Sequence, residues 1–531
     1  MSKKIKKGNV MKRSLGRTGL LAALLGLALS SPSVMAADVD LTSVVAVTGG
    51  TVVGVHQGSL SVFKGIPFAA PPVRELRWRA PAPVVPWQGV RIADRYSPMC
   101  LQALRPKNSV FYLGEEPSSE DCLYLNVWSP DPRQGAKLPV MVFVYGGGWT
   151  IGSGSLPLYS GEGLARKGAV VVTFNYRVGA LGFFSHPELT AESTRGASGN
   201  YGLMDMVAAL AWVRDNVSGF GGDPGNVTLY GQSAGAAAIS LIETSPLANG
   251  MYHRVIGQSG AYALGGAMPS LAEAEQQGVA LAAKLKAPSL QALRDKPGDV
   301  MVAADAASRP NVDGYVLPKS PAEVYRAGEQ ARVPALIGSN SDEGTAYPVA
   351  LSAAAFSEDA RKRYAGRAEA LLALYPAATD AEARLSSYEL HRDRLFASAV
   401  RLWARDQSRV APVFVYHFSH HPPFADGLAY LQQSPASALG AYHGSEMAYA
   451  YGVLDTLNWN GMVRNWTDAD RKLSELMSNY WVTFARTGNP NTAETPTWPP
   501  YDPEREQVML FGDSIHAGDL PNKAKLDFFA D

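Results

Sequence analysis

The pentapeptide Gly231-Gln232-Ser233-Ala234-Gly235 sets a serine between two glycines, as a nucleophilic hydroxyl requires when it sits on a turn too sharp for bulky neighbours. The string alone is weak evidence, because with 51 glycines in 531 residues a chance match arises in roughly one chain in three. Its surroundings carry more weight. The apolar run 227–230 reads as a buried strand and 234–244 as a helix, so Ser233 falls at a strand-to-helix corner with a helix N-terminus behind it. A serine hydroxyl is a poor nucleophile until a base takes its proton, and an imidazole oriented by a carboxylate is the usual means.

In the α/β-hydrolases, whose nucleophile stands at a corner of this kind, the acid and then the histidine follow the serine along the chain. The later histidines are His253, His391, His417, His420, His421, His443 and His516. His443 stands out in Gly440-Ala441-Tyr442-His443-Gly444-Ser445-Glu446, a loop with glycines on both sides of the ring, whereas His417 alternates within a strand. The 417–421 cluster does not read as a metal site, because strand periodicity sends its members to different faces and no cysteine or close carboxylate completes a ligand set. Asn340-Ser341-Asp342-Glu343-Gly344 follows the strand expected at 333–338 and offers two adjacent acids, Asp342 and Glu343, between which local sequence does not choose. In Tyr145-Gly146-Gly147-Gly148-Trp149, consecutive glycines after a strand let backbone N–H groups approach a ligand, and with the N–H of Ala234 they form a candidate oxyanion hole. A phosphate loop is not expected there, since neither G-x-G-x-x-G nor a Walker lysine is present.

The elements that must position these residues are legible as runs. Segments 43–55 and 58–63 read as short strands with Gly-rich turns, and 66–72 is too rich in proline for either regular element. Runs 126–128, 140–145 and 170–174 read as strands buried on both faces, 333–338 and 413–418 as two more strands, 201–216 as a helix, 223–226 as a turn, and 352–408 as a long Ala-rich helical stretch. Strands alternating with helices imply a mainly parallel α/β sheet. No repeat, low-complexity linker or composition break divides the chain after its N-terminus, so a single domain over 37–531 is expected.

Composition agrees with a well-folded globular protein: 46% hydrophobic and 18% charged residues exclude a disordered chain. Residues 1–36 read as a secretory signal peptide, with seven basic and no acidic residues up to Arg17, an apolar run over 19–29 and small residues before a cleavage site near Ala36. Lys+Arg and Asp+Glu each total 48, so loss of those seven basic residues leaves a mature net charge of −7, which argues against a nucleic-acid partner. No later segment has membrane-spanning length, and a secreted or periplasmic protein without a stable membrane anchor is expected. In that oxidising setting the two cysteines, Cys100 and Cys122, are expected to pair, closing a loop of about 20 residues worth about 3 kcal/mol.

Nearly the whole mature chain resembles the type-B carboxylesterases, the cholinesterase-like branch of the α/β-hydrolases. The matching stretches are 63–72, 119–128, 145–149, 174–177, 200–205 and the Ser233, Glu343 and His443 segments. The resemblance implies a large, mostly parallel central sheet flanked by helices, with a small N-terminal antiparallel sheet and helical insertions. It implies Ser233 as nucleophile, Glu343 rather than Asp342 as acid, His443 as base, and Gly147, Gly148 and Ala234 as oxyanion donors. It also places a disulfide on Cys100 and Cys122, and supporting residues on Ser259 and Glu446. Its chemistry needs a small-molecule ester and water, with no cofactor or metal, and leaves the oligomeric state open. Gln232 stands where cholinesterases carry a glutamate, and residues 100–122 offer Phe111 and Tyr112 but no tryptophan, so a choline ester is not the expected substrate. Relatives of this pattern act on esters ranging from simple aryl and short-chain acyl esters to bulky mycotoxin polyesters such as fumonisins. A lipase, an amidase and a non-catalytic cholinesterase-like binding protein are the alternatives.

Overall fold

Strands buried on both faces dispense with apolar–polar alternation, and Leu138–Val144 and Val170–Phe174 are of this kind, almost every residue withdrawn from solvent. The computed structural model describes residues 40–112, 114, 116–304, 308–347, 352–458 and 463–530, which cluster as one compact unit. The signal peptide expected at 1–36 and its cleavage site lie outside the described residues. Among those residues no helix is long and apolar enough to cross a membrane.

Among the described residues the main sheet has eleven strands. In chain order they are β1 (Val55–Gln57), β2 (Leu60–Pro67), β3 (Tyr124–Ser129), β4 (Leu138–Val144), β5 (Val170–Phe174), β6 (Gly222–Gln232), β7 (Arg254–Gln258), β8 (Ala335–Asn340), β9 (Val413–Phe418), β10 (Gln507–Phe511) and β11 (Ile515–Asp519). Their spatial order is β11-β10-β9-β8-β7-β6-β4-β5-β3-β2-β1. The run from β5 through β4 and β6 to β10 is parallel, and antiparallel pairs close both edges. This is the α/β-hydrolase architecture expected from the sequence.

Two expectations need correction. The small N-terminal sheet is mixed: Val45–Val47 pairs antiparallel with Gly50–Val53, but Val90–Ile92 joins it in parallel. Between those last two strands the chain runs through β1, β2 and a Pro-rich stretch, so it returns in its original direction. The turn expected at 223–226 is a bulge within β6, where pairing with β4 breaks register between Gly222 and Val227 and Asp223 Oδ1 accepts the N–H of Gly225 at 2.8 Å.

Helix α1 (Tyr201–Asn216) spans the range expected, and α2 (Ala234–Ile242) is buried at every position because its small residues let it lie close behind the sheet. The insertion after β8 contains α3 (Ala353–Tyr364), α4 (Asp380–Arg392) and α5 (Ser398–Gln407). A Thr379–Glu382 capping box starts α4, and one π-helical turn, Asp393–Ala397, joins α4 to α5. The cysteines form the disulfide Cys100–Cys122, both ends buried.

At the carboxyl edge the parallel ladder continues one step past the strands. The N–H of Ser233 donates to Gln258 O at 2.7 Å, that of Ser259 to Gly338 O at 2.8 Å, that of Ser341 to Phe418 O at 2.9 Å and that of Ser419 to Phe511 O at 2.8 Å. Four serines, each just beyond a strand, are thereby tied to the neighbouring strand.

Candidate active site

Ser233 leaves β6 with φ 59° and ψ −127° and opens α2, a conformation that costs an L-residue about 1–3 kcal/mol and is held only where surroundings impose it. They do so closely: a Cβ on Gly235 would stand 2.1 Å from Val144 O, so a side chain there would push the corner off β4. The Ser233 residue is 8% exposed.

Glu343 opens a 3-10 turn, Glu343–Ala346, directly after β8. Its Oε2 lies 2.5 Å from His443 Nδ1, while its Oε1 accepts from Ser259 Oγ at 2.5 Å and from the Asn340 N–H at 2.8 Å. Both Glu343 and His443 are buried. A carboxylate in this position accepts a hydrogen bond from Nδ1–H and leaves Nε2 as the imidazole's free base. The adjacent acid does different work. Asp342 Oδ2 accepts from the Ala441 N–H at 2.9 Å, and the Asp342 N–H donates to Ala441 O at 3.1 Å, pinning the loop that carries His443.

Behind Glu343 lies Glu446, whose carboxylate accepts from Gln258 Nε2 at 3.0 Å and Asn340 Nδ2 at 2.5 Å. Complete burial, reinforced by the charge of Glu343, raises its carboxyl to about 7. Ser259 and Glu446, singled out from the sequence, therefore both reach the Glu343 cluster.

The glycine loop is built from the other side. Tyr145 and Tyr176 stack at 4.1 Å and exchange hydrogen bonds, Tyr145 Oη to Tyr176 O at 2.6 Å and Tyr176 Oη to Tyr145 O at 2.7 Å, which locks the end of β4. Gln102, inside the disulfide-closed loop, grips Gly152 through both amide atoms at 2.7 Å. Between these clamps Gly147 and Gly148 take φ values of +119° and +62°. Among the described residues, the N–H groups of Gly147, Gly148 and Ala234 donate to no partner. A Cβ on Gly146 would stand 2.9 Å from Ser233 Cβ, so this loop abuts the serine corner. Unpaired donors beside a strained serine can donate to a developing oxyanion.

Several contacts escaped the sequence reading. Phe396, from the π-helical turn, packs on the His443 ring at 4.4 Å, with Tyr347 at 5.7 Å and Phe111 at 6.2 Å, so the imidazole sits in an aromatic wall. His391 packs at a tilt against Tyr347, ring centres 4.6 Å apart, and burial, aided by Arg394, lowers it to about 4, which leaves it neutral. Gln232 Nε2 lies 3.1 Å from His443 Nε2. Of the histidine cluster, His420 meets Asp470 and His421 meets Asp342, while burial lowers His417 to about 4; among the described residues no group of side chains is arranged to hold a metal.

Comparison with known proteins agrees with this geometry. The profile of the carboxylesterase family matches residues 41–529. Over 498 residues the chain is 38% identical to a fumonisin B1 esterase of Sphingopyxis macrogoltabida, covering 90% of this chain and 88% of that one. It is 34% identical over 507 residues to the para-nitrobenzyl esterase of Bacillus subtilis (strain 168), covering 90% and 96%. The solved structure of a PNB esterase superposes with a TM-score of 0.78 at 32% identity, covering 91% of this chain and 99% of that one.

Proposed function

The chain belongs to the carboxylesterase family and is a carboxylic ester hydrolase, and from that premise we propose that it works through an acyl-enzyme on Ser233, with His443 as base and Glu343 as orienting acid. The observation that carries this reading is the buried Glu343 Oε2–His443 Nδ1 contact at 2.5 Å, set against a serine at positive φ next to three unpaired backbone donors.

Ser233 Oγ bonds to the ester carbonyl carbon as its proton passes to His443 Nε2. The carbonyl oxygen takes the electron pair and is held by the N–H groups of Gly147, Gly148 and Ala234. Collapse breaks the bond to the alcohol, which leaves with the proton from His443. Water repeats the sequence on the acyl-enzyme and releases the acid, while Glu343 stabilises each imidazolium. Each oxyanion donor is worth about 3 kcal/mol in such a site.

The substrate is proposed to be a neutral or bulky ester rather than a choline ester. The neutral Gln232 beside the serine and the aromatic wall of Phe111, Tyr347 and Phe396 support this, as does the similarity to a fumonisin B1 esterase. We also propose export through the signal peptide at 1–36, a route with which the Cys100–Cys122 disulfide is consistent.

The test is hydrolysis of p-nitrophenyl acetate, butyrate and octanoate and of fumonisin B1 by wild type and Ser233→Ala, with fluorophosphonate labelling of Ser233. Turnover and labelling lost together in the variant are expected. Undiminished turnover in Ser233→Ala would refute the mechanism, and a rate jump above the octanoate's solubility limit would mark an interfacial lipase instead.

A further inference from the structure

We propose, resting on the assignment of His443 as the base, that Gln232 is a positioning residue: its side-chain amide holds the imidazole at Nε2 in the substrate-free protein and yields that atom to Ser233 when an ester binds.

The polarity of the ring decides what can stand at Nε2. Glu343 accepts a hydrogen bond from Nδ1–H, so the neutral imidazole presents a lone pair at Nε2 and needs a donor there. The hydrogen bond that Nε2 makes is to Gln232 Nε2 at 3.1 Å, both residues being buried. A carboxylate at position 232 would set lone pair against lone pair and would favour the imidazolium instead. The amide's chemistry is therefore matched to a ring that begins the cycle unprotonated.

The place of the amide is built from two loops. A Cβ on Gly146 would come within 3.2 Å of Gln232 Oε1 and within 2.5 Å of its backbone oxygen, so the first glycine of the oxyanion loop leaves the room in which the amide lies. On the other side a Cβ on Gly444, the residue after His443, would touch Gln232 Nε2 at 3.4 Å. The amide is thus clasped between the loop that carries the oxyanion donors and the loop that carries the base. Exchanging the Gln232 bond for one from Ser233 Oγ replaces one neutral hydrogen bond with another, so the hand-over costs little.

Other titratable groups near the ring are common to any variant at 232. Glu343 lies on Nδ1, Tyr347 packs on one side with His391 packed behind it, and Glu446, His417 and Asp342 surround Glu343.

The experiment compares wild type, Gln232→Met and Gln232→Glu by the pH profile of kcat/KM on p-nitrophenyl butyrate, with fluorophosphonate labelling to count competent Ser233. Loss of the donor in Gln232→Met moves the acid limb to higher pH, and the carboxylate of Gln232→Glu moves it further, by about one pH unit, so its activity deficit is about tenfold larger below the limb than above it. Nitrogen-15 NMR of histidine-labelled wild type adds a readout that needs no folded variant: His443 is expected as the Nδ1–H form with Nε2 accepting a hydrogen bond. Acid limbs that coincide in all three proteins while Ser233 still labels, or an Nε2–H form in wild type, would overturn the inference. Wild type that fails to label at Ser233 would remove the mechanism on which it rests.

Discussion

Glu343 and Glu446, the two carboxylates buried behind the His443 ring, are bridged by Asn340, whose backbone N–H donates to Glu343 Oε1 at 2.8 Å and whose side-chain amide donates to Glu446 Oε2 at 2.5 Å. Glu343 is thereby held by the backbone on one oxygen and by the imidazole on the other, with no freedom to turn away. Replacing it with Gln keeps the shape but can present an N–H to Nδ1, which selects the wrong tautomer. In Glu343→Gln, kcat on p-nitrophenyl butyrate is expected to fall by about 10³ to 10⁴. A loss below tenfold, in folded protein, would contradict its role.

Gly147 and Gly148 are expected to respond differently to a methyl group. A Cβ at 147 would meet Ile151 O at 2.2 Å, whereas at 148 it would meet nothing within 4 Å. Gly147→Ala must displace the loop and should lower both melting temperature and kcat. Gly148→Ala bears only the strain of its positive φ, about 1 kcal/mol, and fills space beside the unpaired donors. Its melting temperature should stay within a few degrees of wild type while kcat falls at least about tenfold. Calorimetry and steady-state kinetics on the pair check this contrast.

Glu243 sits fully buried after α2, where Oε2 accepts from Tyr325 Oη at 2.7 Å and Trp403 Nε1 at 3.1 Å and Oε1 has no partner among the described residues. Burial raises its carboxyl to about 8 against these hydrogen bonds. An acid raised on folding contributes stability fully below its ordinary value near 4.5, and that contribution is lost as pH climbs toward 8. Glu446, raised to about 7, acts in the same direction. Glu243→Gln should therefore reduce the fall in melting temperature between pH 5 and pH 8, leaving the part due to Glu446. An unchanged fall would show that Glu243 is ionised in the fold.

The disulfide closes the loop carrying Gln102, which grips Gly152, and Phe111, which faces His443. Replacing Cys100 and Cys122 together by Ser should cost about 3 kcal/mol of stability in urea unfolding. It should also lower kcat/KM severalfold at temperatures where the variant remains folded, because both contacts reach the site. Loss of stability with unaltered kinetics would separate the loop from catalysis.

The serine corner was legible because its signals are local: a β-rich run, two glycines and an Ala-rich helix within about twenty residues. The helix at 201–216 and the strands at 170–174 and 413–418 were legible for the same reason, as uninterrupted periodic runs. The choice between Asp342 and Glu343 was legible through the family resemblance but not through the local residues, since it turns on a single 3-10 turn that sends neighbouring carboxylates to Ala441 and His443. Phe396 was not legible, since it faces His443 from a π-helical turn in a segment that reads as ordinary helix. The strands 254–258, 507–511 and 515–519 are short and mixed in polarity, and only their neighbours in the sheet define them. Gln232 was visible for its missing charge, but its partner lies 211 residues away.

The four serine N–H groups that carry the ladder past the ends of β6 to β9 have an evolutionary corollary. They anchor the chain to the sheet before each excursion begins, so the excursions can lengthen, shrink or be rebuilt without resetting where the strands end. The segment between β8 and β9, which supplies Phe396 and His391, is one such excursion, and its departure point at Ser341 is fixed to Phe418 O. Beyond Glu343, which stands at the start of that segment, a lineage can rebuild the excursion while inheriting the proposed reacting groups intact, and a library confined to residues 384–397 is the economical place to redirect this fold.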